Sequence, residues 1–318
     1  MAAGYYCLSE PTVFDALAAH PSEEITMNDI TDGLIGRVDE ATQKSNTIGK
    51  LLLEAGKITP TDAEKIIKLQ HQKNLRFGEA ALELGMVKQE DIQYALAQQF
   101  DYPYLLPGEG NFSPELVAAY YPYSEQVEAL RVLRTQLLLR WFHTGHKSLC
   151  LCGAEGKEGV SYHVANLAVV FSQLGEKTLV IDANLRAPKQ HAIFNLKNSR
   201  VGLSDMLAER ASNALYKVPS LLDLSLIPAG TIPPNPAELL GRNRFGLLLK
   251  DLAENYDIIL IDAPAVNVFG DAQNIAAIAG GAVLVIHQDY SRAAQIKKAK
   301  GQLLNSGAQI VGAVLNKF

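Results

Sequence analysis

The sequence predicts an α/β fold: a doubly wound parallel sheet preceded by a small all-α domain of tandem helix pairs. Three observations predict it. From Lys147 onward, short apolar segments alternate with helical segments. A Gly-rich loop follows the first apolar segment, and a sequence repeat lies N-terminal to this whole region. Alternating strands and helices are typical of a parallel sheet with helices on both faces.

Composition limits the possible classes of protein. The chain has 318 residues, of which 48% are hydrophobic and 20% charged, so a soluble protein of about two domains is expected. Its formal charge of −5 argues against a nucleic-acid partner, because proteins that bind nucleic acids usually present a basic surface. Three cysteines and no apolar run long enough to cross a bilayer predict a cytoplasmic location.

Four regions are expected along the chain. Residues 1–40 lack a sustained period and predict a flexible N-terminal arm. Residues 41–107 hold the repeat, residues 108–146 a linker with one interaction helix from about Ser124 to Trp141, and residues 147–318 the α/β domain.

The repeat aligns Thr47–Gln70 with Arg76–Gln99 without gaps, and five residues separate the copies. In each copy a short apolar helix ends at a glycine, which is a typical left-handed C-terminal stop. The sequence Thr59-Pro60 then gives an N-cap with proline in the first helical position. Each copy is therefore predicted to be a pair of helices.

The α/β domain is predicted to contain short apolar strands buried on both faces of a parallel sheet. The predicted strands are Ser148–Cys152, Lys177–Asp182, Leu224–Pro228, Asp257–Asp262, Ala282–His287 and Gln309–Asn316. The predicted helices between them include Ser161–Leu174, Pro236–Asn255, Asp271–Ala279 and Arg292–Leu304. Cys150 and Cys152 alternate on the first strand, which favours packed thiols over a zinc site.

A candidate phosphate loop, Gly153–Tyr162, connects the first strand to a helix. Phosphate loops end in Gly-Lys-Ser/Thr, whereas this loop ends in Gly159-Val160-Ser161. The glycine and the magnesium-binding hydroxyl are present, but the lysine is replaced by valine. Taken alone, the loop fits a phosphate site and a plain strand-to-helix turn equally well.

Two carboxylates favour nucleotide binding. Asp182 and Asp262 each end an apolar strand, and ligands of doubly wound sheets bind beyond the carboxyl ends of the strands. Aspartate in such a position can orient Mg²⁺ beside a phosphate loop. A single aspartate could equally be a turn former, but two beside the loop predict a nucleotide site.

Over Ser124–Phe318 the chain resembles the bacterial tyrosine kinases (BY-kinases) of polysaccharide biosynthesis, P-loop NTPases related to the MinD/ParA ATPases, and within them the EpsG type of exopolysaccharide clusters. The resemblance is carried by EALRVLRTQ (Glu128–Gln136), NLAVVFSQLGEKTLVIDANLRAPKQHAIF, PAGTIPPNPAELL (Pro228–Leu240) and IDAPAVNVFGDAQ (Ile261–Gln273). It implies ATP-dependent phosphorylation of tyrosine, a role in chain length, polymerisation and export, and an integral-membrane chain length determinant as partner. The protein would then be peripheral to the inner membrane through that partner.

The resemblance also implies a set of site residues. It implies that Asp182 and Asp262 are catalytic residues and that Ser161, Asp182 and Asp262 bind Mg²⁺. A homo-oligomer would use Glu128, Arg131 and Arg134. The nucleotide, ATP, would be bound by Gly156, Lys157, Glu158, Gly159, Val160, Ser161, Tyr162 and Asn316, the last near the adenine.

Three departures from the family pattern keep a second interpretation open. The loop lysine is Val160, the second carboxylate of the family's Asp-x-Asp pair is Asn184, and the C-terminal tyrosine cluster is absent, the last tyrosine being Tyr290. The protein is therefore either a kinase or a catalytically weak or inactive pseudokinase that senses nucleotide as an adaptor of the export machinery.

The twin repeat resembles the MshEN domain found on type II secretion and pilus ATPases, a resemblance that implies binding of cyclic di-GMP. The alternative is a docking module whose glycines only terminate helices. The candidate residues for cyclic di-GMP are Ile48, Gly49, Leu52, Gly56, Gln70, Arg76, Phe77, Gly78, Gly85 and Gln99.

Overall fold

A computed structural model describes residues 47–99, 105, 109–196, 200–218, 221 and 223–317. The chain divides into two compact units, with the boundary between Ala95 and Leu96. The predicted arm, residues 1–40, lies outside the described residues.

The first unit consists of the predicted helix pairs. Both copies begin with a short helix followed by a glycine, Gly56 or Gly85, whose φ is +65°. The second helix of each copy is capped in the same way: Thr59 N–H donates to Asp62 Oδ2 at 3.1 Å, and Lys88 N–H donates to Asp91 Oδ2 at 2.9 Å. The helices are α1 (Ile48–Glu54), α2 (Pro60–Lys73), α3 (Phe77–Glu83) and α4 (Gln89–Gln99), the last of which crosses the boundary between the units.

The second unit contains one seven-stranded sheet in the order β3-β4-β2-β5-β1-β6-β7. All neighbouring strands are parallel except β3 and β4. The strands are β1 (Ser148–Gly153), β2 (Thr178–Asp182), β3 (Tyr216–Lys217), β4 (Leu224–Ile227), β5 (Ile258–Asp262), β6 (Gly281–His287) and β7 (Gln309–Asn316).

Helices cover both faces of the sheet. Along β1, Leu149 and Leu151 belong to one apolar core, while Cys150 and Cys152 are buried in the other. The fold is therefore the predicted doubly wound α/β sheet. The helices are α5 (Val117–Tyr120), α6 (Glu125–Arg140), α7 (Val160–Ser172), α8 (Gln190–Ile193), α9 (Leu203–Leu207), α10 (Pro236–Leu240), α11 (Asn243–Ala253), α12 (Asp271–Ala279) and α13 (Ala293–Asn305), with a 3₁₀ turn at Phe142–Thr144.

Helix α6, predicted as an interaction helix within a linker, packs on this unit. Ser124 caps its N-terminus by accepting from Val127 N–H at 3.4 Å. Arg134 Nη1 donates to the carbonyl oxygen of Val170 on α7 at 2.6 Å. The helix is thus attached to the sheet's covering layer by both apolar packing and hydrogen bonding.

The structure corrects one predicted helix and adds a strand. The single helix predicted over Pro236–Asn255 is wrong, because α10 and α11 are separated at Gly241 and Arg242. Arg242 has extended backbone angles (φ −71°, ψ 146°) and forms the N-cap of α11. The strand β3 has only two residues, which is too short for a periodic sequence signal.

The fold brings four sequence positions to one edge of the sheet. Gly153, Asp182, Asp262 and Asn316 end the parallel strands β1, β2, β5 and β7. Ligands of such sheets bind at this edge. Within the described ranges, none of the helices combines the length and apolarity needed to cross a bilayer.

Candidate nucleotide-binding site

The loop between β1 and α7 has the backbone of an anion-binding turn. Lys157 and Gly159 both have positive φ, +68° and +87°, and α7 begins at Val160 with Gly159 as its N-cap. The first-turn N–H groups of a helix have no acceptor within the helix and attract anions. A side chain at Gly159 would collide with the Asn316 amide, so glycine is required by both angle and space.

A cleft of about 670 Å³ lies against this loop. Every predicted nucleotide-binding residue lines it: Gly156–Tyr162 and Asn316, together with Asp262. The other lining residues are Glu115, Val117, Gln126, Glu155, Asn184, Ala187, Lys189, Ala263, Pro264 and Ala265. The structure therefore brings the residues of the loop, of β5 and of β7 together as the sequence predicts, and it adds Lys189.

Asp262 presents a carboxylate oxygen suited to a divalent cation. Its side chain is fully buried, Oδ2 accepts from Gln190 Nε2 at 2.7 Å, and Oδ1 has no hydrogen-bond partner among the described residues. Burial raises the pKa of the Asp262 carboxyl to about 6, against the lowering effects of Gln190, the Ser161 hydroxyl and the Lys189 charge. A buried oxygen without a partner, beside a serine hydroxyl, fits Mg²⁺.

Asp182 has different surroundings. Its Oδ2 accepts from the backbone N–H groups of Lys189 and Gln190 at 3.0 and 2.9 Å, and its Oδ1 from Asn184 N–H at 3.3 Å. Burial, and then the negative charge of Asp262, raise the pKa of the Asp182 carboxyl. These contacts make Asp182 an anchor for the segment 184–190, and its catalytic and metal-binding roles stay predictions.

Gln190 connects Ser161, at the end of the phosphate loop, with Asp262, at the end of β5. The sequence analysis did not single it out. Its Nε2 donates to Asp262 Oδ2 and also to the carbonyl oxygen of Ser161 at 3.0 Å. The residue is fully buried. Its only sequence signal is a polar side chain eight residues after Asp182, and such a position is not distinguishable from a surface glutamine without the fold.

Asn316 and Glu158 tie the loop to the last strands of the sheet. Asn316 Nδ2 donates to the Glu158 carbonyl oxygen at 3.1 Å, whereas Asn316 Oδ1 is buried without a partner among the described residues. The Glu158 carboxylate accepts from Glu155 N–H at 2.9 Å and from the Ser291 hydroxyl. Burial raises the pKa of Glu158. The free Asn316 acceptor suits the amino group of a purine.

The predicted oligomer residues on α6 are not equivalent. Glu128 Oε2 and Arg131 Nη1 form an ion pair at 2.9 Å, in which the Glu128 side chain is exposed and the Arg131 side chain is mostly buried. Arg134 donates to α7 within the same chain. Glu128 is therefore better placed than either arginine to meet another subunit.

Eight of the ten candidate residues for cyclic di-GMP lie in or next to the two short helices, whereas Gln70 lies on α2 and Gln99 on α4. The Phe77 ring packs so closely on Gly49 that a Cβ there would lie 3.1 Å from it. Gly78 packs against Ile92, and Leu52 is buried. Arg76 is the N-cap residue of α3 and is exposed.

The fold and the cleft together are those of an α/β domain of the P-loop NTPase type. Residues 146–308 match the family model described as cellulose biosynthesis protein BcsQ. The chain is 36% identical over 202 residues to the tyrosine-protein kinase YwqD of Bacillus subtilis, covering 63% of this chain and 85% of YwqD. It therefore belongs to the bacterial tyrosine kinases, the BY-kinase family.

Further relatives agree with this assignment. The tyrosine-protein kinase wzc of Salmonella typhimurium is 32% identical over 205 residues, which are 64% of this chain and 28% of wzc. The kinase domain of the Escherichia coli tyrosine kinase ETK superimposes with a TM-score of 0.61 at 28% identity, covering 68% of this chain and 89% of that structure. The helical repeat lies outside the residues that the family model matches.

Proposed function

We propose that the cleft binds Mg-ATP and transfers its γ-phosphate to a tyrosine hydroxyl. The observation that carries this proposal is the buried Asp262 Oδ1, which has no hydrogen-bond partner among the described residues, in a carboxylate that lies beside the loop hydroxyl of Ser161. Relatives named as tyrosine kinases support the choice of acceptor.

The residues of the site have separate roles in this reaction. The N–H groups of the loop and of the first turn of α7 bind the phosphates. Ser161 and Asp262 hold Mg²⁺, which neutralises the charge that develops on the phosphates. Gln190 keeps Asp262 in position, Asp182 fixes the segment that carries Gln190, and Asn316 Oδ1 accepts from the purine amino group.

Transfer breaks the bond between the γ-phosphorus and the oxygen that bridges to the β-phosphate, and it forms a bond to the tyrosine oxygen. ADP leaves with the bridging oxygen, and the hydroxyl proton passes to water. Val160 supplies no charge at the γ-phosphate, so the transfer is slow compared with that of a loop bearing lysine.

The cellular role follows from the family. By resemblance, the protein acts with an integral-membrane chain length determinant, stays peripheral to the inner membrane through it, and regulates exopolysaccharide chain length, polymerisation and export. The exposed side chain of Glu128 supports α6 as the contact between subunits of a homo-oligomer, in which Arg131 and Arg134 would also take part by resemblance.

A transfer assay with γ-labelled ATP and the full chain tests the kinase. We expect tyrosine labelling by the wild type, none by Asp262→Asn, and normal labelling by the exposed control Asp251→Asn on α11. Label that appears only in Val160→Lys would contradict transfer by the wild type, and it would establish the pseudokinase, a nucleotide-sensing adaptor, in its place.

We further propose that the repeat binds cyclic di-GMP. Equivalent turns in the two copies and the exposed Arg76 beside the Phe77 ring support it, because a guanidinium binds phosphate and an aromatic ring stacks on a base. Calorimetry on the full chain should show binding at micromolar ligand, weakened at least tenfold in Arg76→Ala and unchanged in Lys88→Ala. Absence of heat with the wild type, or equal losses in both variants, would contradict this proposal.

A further inference from the structure

Lys189 enters the cleft from a segment outside the phosphate loop. Its backbone N–H is held by Asp182 Oδ2 at 3.0 Å. The next residue, Gln190, is hydrogen-bonded to Ser161 and to Asp262. The Cα of Lys189 is therefore fixed beside the two groups expected to hold Mg²⁺, while its side chain is exposed in the cleft.

The cleft is lined by more negatively than positively charged side chains, so the positive charge of Lys189 matters for binding an anion. Four acidic residues line it, Glu115, Glu155, Glu158 and Asp262, but only two lysines, Lys157 and Lys189. Such a lining repels a nucleotide triphosphate unless cations reach its phosphates. Within the described part of the chain, Lys189 forms no ion pair with a carboxylate, so its charge is available to a ligand.

Backbone position distinguishes Lys189 from Lys157. Lys189 adjoins Gln190, whose side chain donates to the Ser161 carbonyl oxygen and to Asp262 Oδ2. Lys157 also lines the cleft, but it lies within the phosphate loop, where its φ is +68°. Lysine carries its charge on a flexible four-carbon stem, so a fixed Cα close to Asp262 allows the ammonium to reach the terminal phosphate.

We propose that Lys189 supplies the phosphate-binding cation that Val160 cannot supply, and that it contacts the γ-phosphate of the bound nucleotide. This inference rests on the proposed binding of Mg-ATP. In the ATP complex the ammonium donates to γ-phosphate oxygens from the β2 side of the cleft, opposite the loop position that Val160 occupies. The phosphate loop of this chain is thus completed by a residue 29 positions after Val160.

The proposal predicts a preference for ATP over ADP that depends on this side chain. Dissociation constants of Mg-ATP and Mg-ADP are measured by calorimetry on the full chain. Lys189→Met keeps the backbone N–H that Asp182 binds and removes only the charge. It should weaken Mg-ATP about ten- to hundredfold, as expected for a hydrogen bond to a charged group, and Mg-ADP less than threefold.

Three further variants test the role of the charge. Lys189→Arg should retain most of the affinity for Mg-ATP, Lys157→Met should lose less than Lys189→Met, and Lys250→Met, an exposed control on α11, should be unchanged. The double variant Val160→Lys/Lys189→Met should regain the affinity that Lys189→Met loses, because a lysine in the loop then supplies the cation. Melting temperatures of all variants within about 2 °C of the wild type would confirm that the fold is kept.

The outcomes separate this inference from the proposed function. Wild-type protein that binds Mg-ATP while Lys189→Met binds it equally well would overturn the role of Lys189 and leave nucleotide binding intact. Equal losses of ATP and ADP affinity, or no regain in the double variant, would also overturn contact with the γ-phosphate. Wild-type protein that binds neither nucleotide would overturn both proposals.

Discussion

Replacing Val160 with lysine is expected to raise the rate of tyrosine phosphorylation about 100-fold. Val160 is the first residue of α7 and lines the cleft, in the position where a phosphate loop carries its lysine. A preorganised group that stabilises developing charge is worth about 10²–10³ in rate. We expect the lower end of that range, because Lys189 already supplies part of the charge.

The matched control for this gain is Val160→Met, which has a side chain of similar reach without the charge. Initial rates of γ-phosphate transfer at saturating Mg-ATP compare the two. Equal rates in the methionine and lysine variants would contradict a role for charge at this position. Val160 also packs against the apolar core, so melting temperatures should be recorded for both variants to correct for any loss of folded protein.

Replacing Asp262 with asparagine is expected to stabilise the free protein while abolishing Mg-dependent binding. Burial raises the pKa of Asp262 from 3.8 to about 6. Keeping this buried carboxylate charged therefore costs on the order of 2–3 kcal/mol. At about 2–4 °C per kcal/mol, the melting temperature at pH 8 should rise by roughly 5–10 °C.

The rise in melting temperature caused by Asp262→Asn should be larger at high pH than at low pH. The folded protein holds the Asp262 proton more tightly than the unfolded chain does. The contribution of Asp262 to the free energy of unfolding of the wild type therefore falls as the pH rises from about 4 to about 6, and it is constant above pH 6. Asparagine does not titrate. The difference in melting temperature should therefore be full at pH 8 and clearly smaller at pH 5.

Asp251→Asn, an exposed carboxylate, serves as the control and should change the melting temperature by less than about 1 °C, as exposed substitutions usually do. Asp262→Asn that melts below the wild type at pH 8 would contradict the view that this carboxylate is kept at a cost in stability. A stability cost at a functional residue is expected when the charge is needed by a ligand.

Much of the site could be predicted from the sequence because parallel strands end at one edge. Once Asp182 and Asp262 are recognised as strand ends, their proximity follows, and the structure pairs them directly across β2 and β5. Gly56 and Gly85 of the repeat and Gly159 of the phosphate loop also supported prediction, because their positive φ angles limit the residue type.

What escaped prediction lies in segments without periodicity. Lys189 and Gln190 acquire their roles from hydrogen bonds to Asp182, Ser161 and Asp262, and these contacts exist only after the sheet has formed. The break between α10 and α11 was missed although the sequence Gly-Arg-Asn-Arg at 241–244 interrupts the apolar positions there. The anchoring role of Asp182 was missed because its partners are backbone groups and not side chains.

The central claim is that this cleft binds Mg-ATP although valine occupies the position of the loop lysine. Calorimetric titration of the full chain with ATP, with and without Mg²⁺, tests it most directly. We predict saturable binding of one nucleotide per chain that requires Mg²⁺ and disappears in Asp262→Asn. Titrations that show no heat and no rise in melting temperature at millimolar Mg-ATP would contradict it.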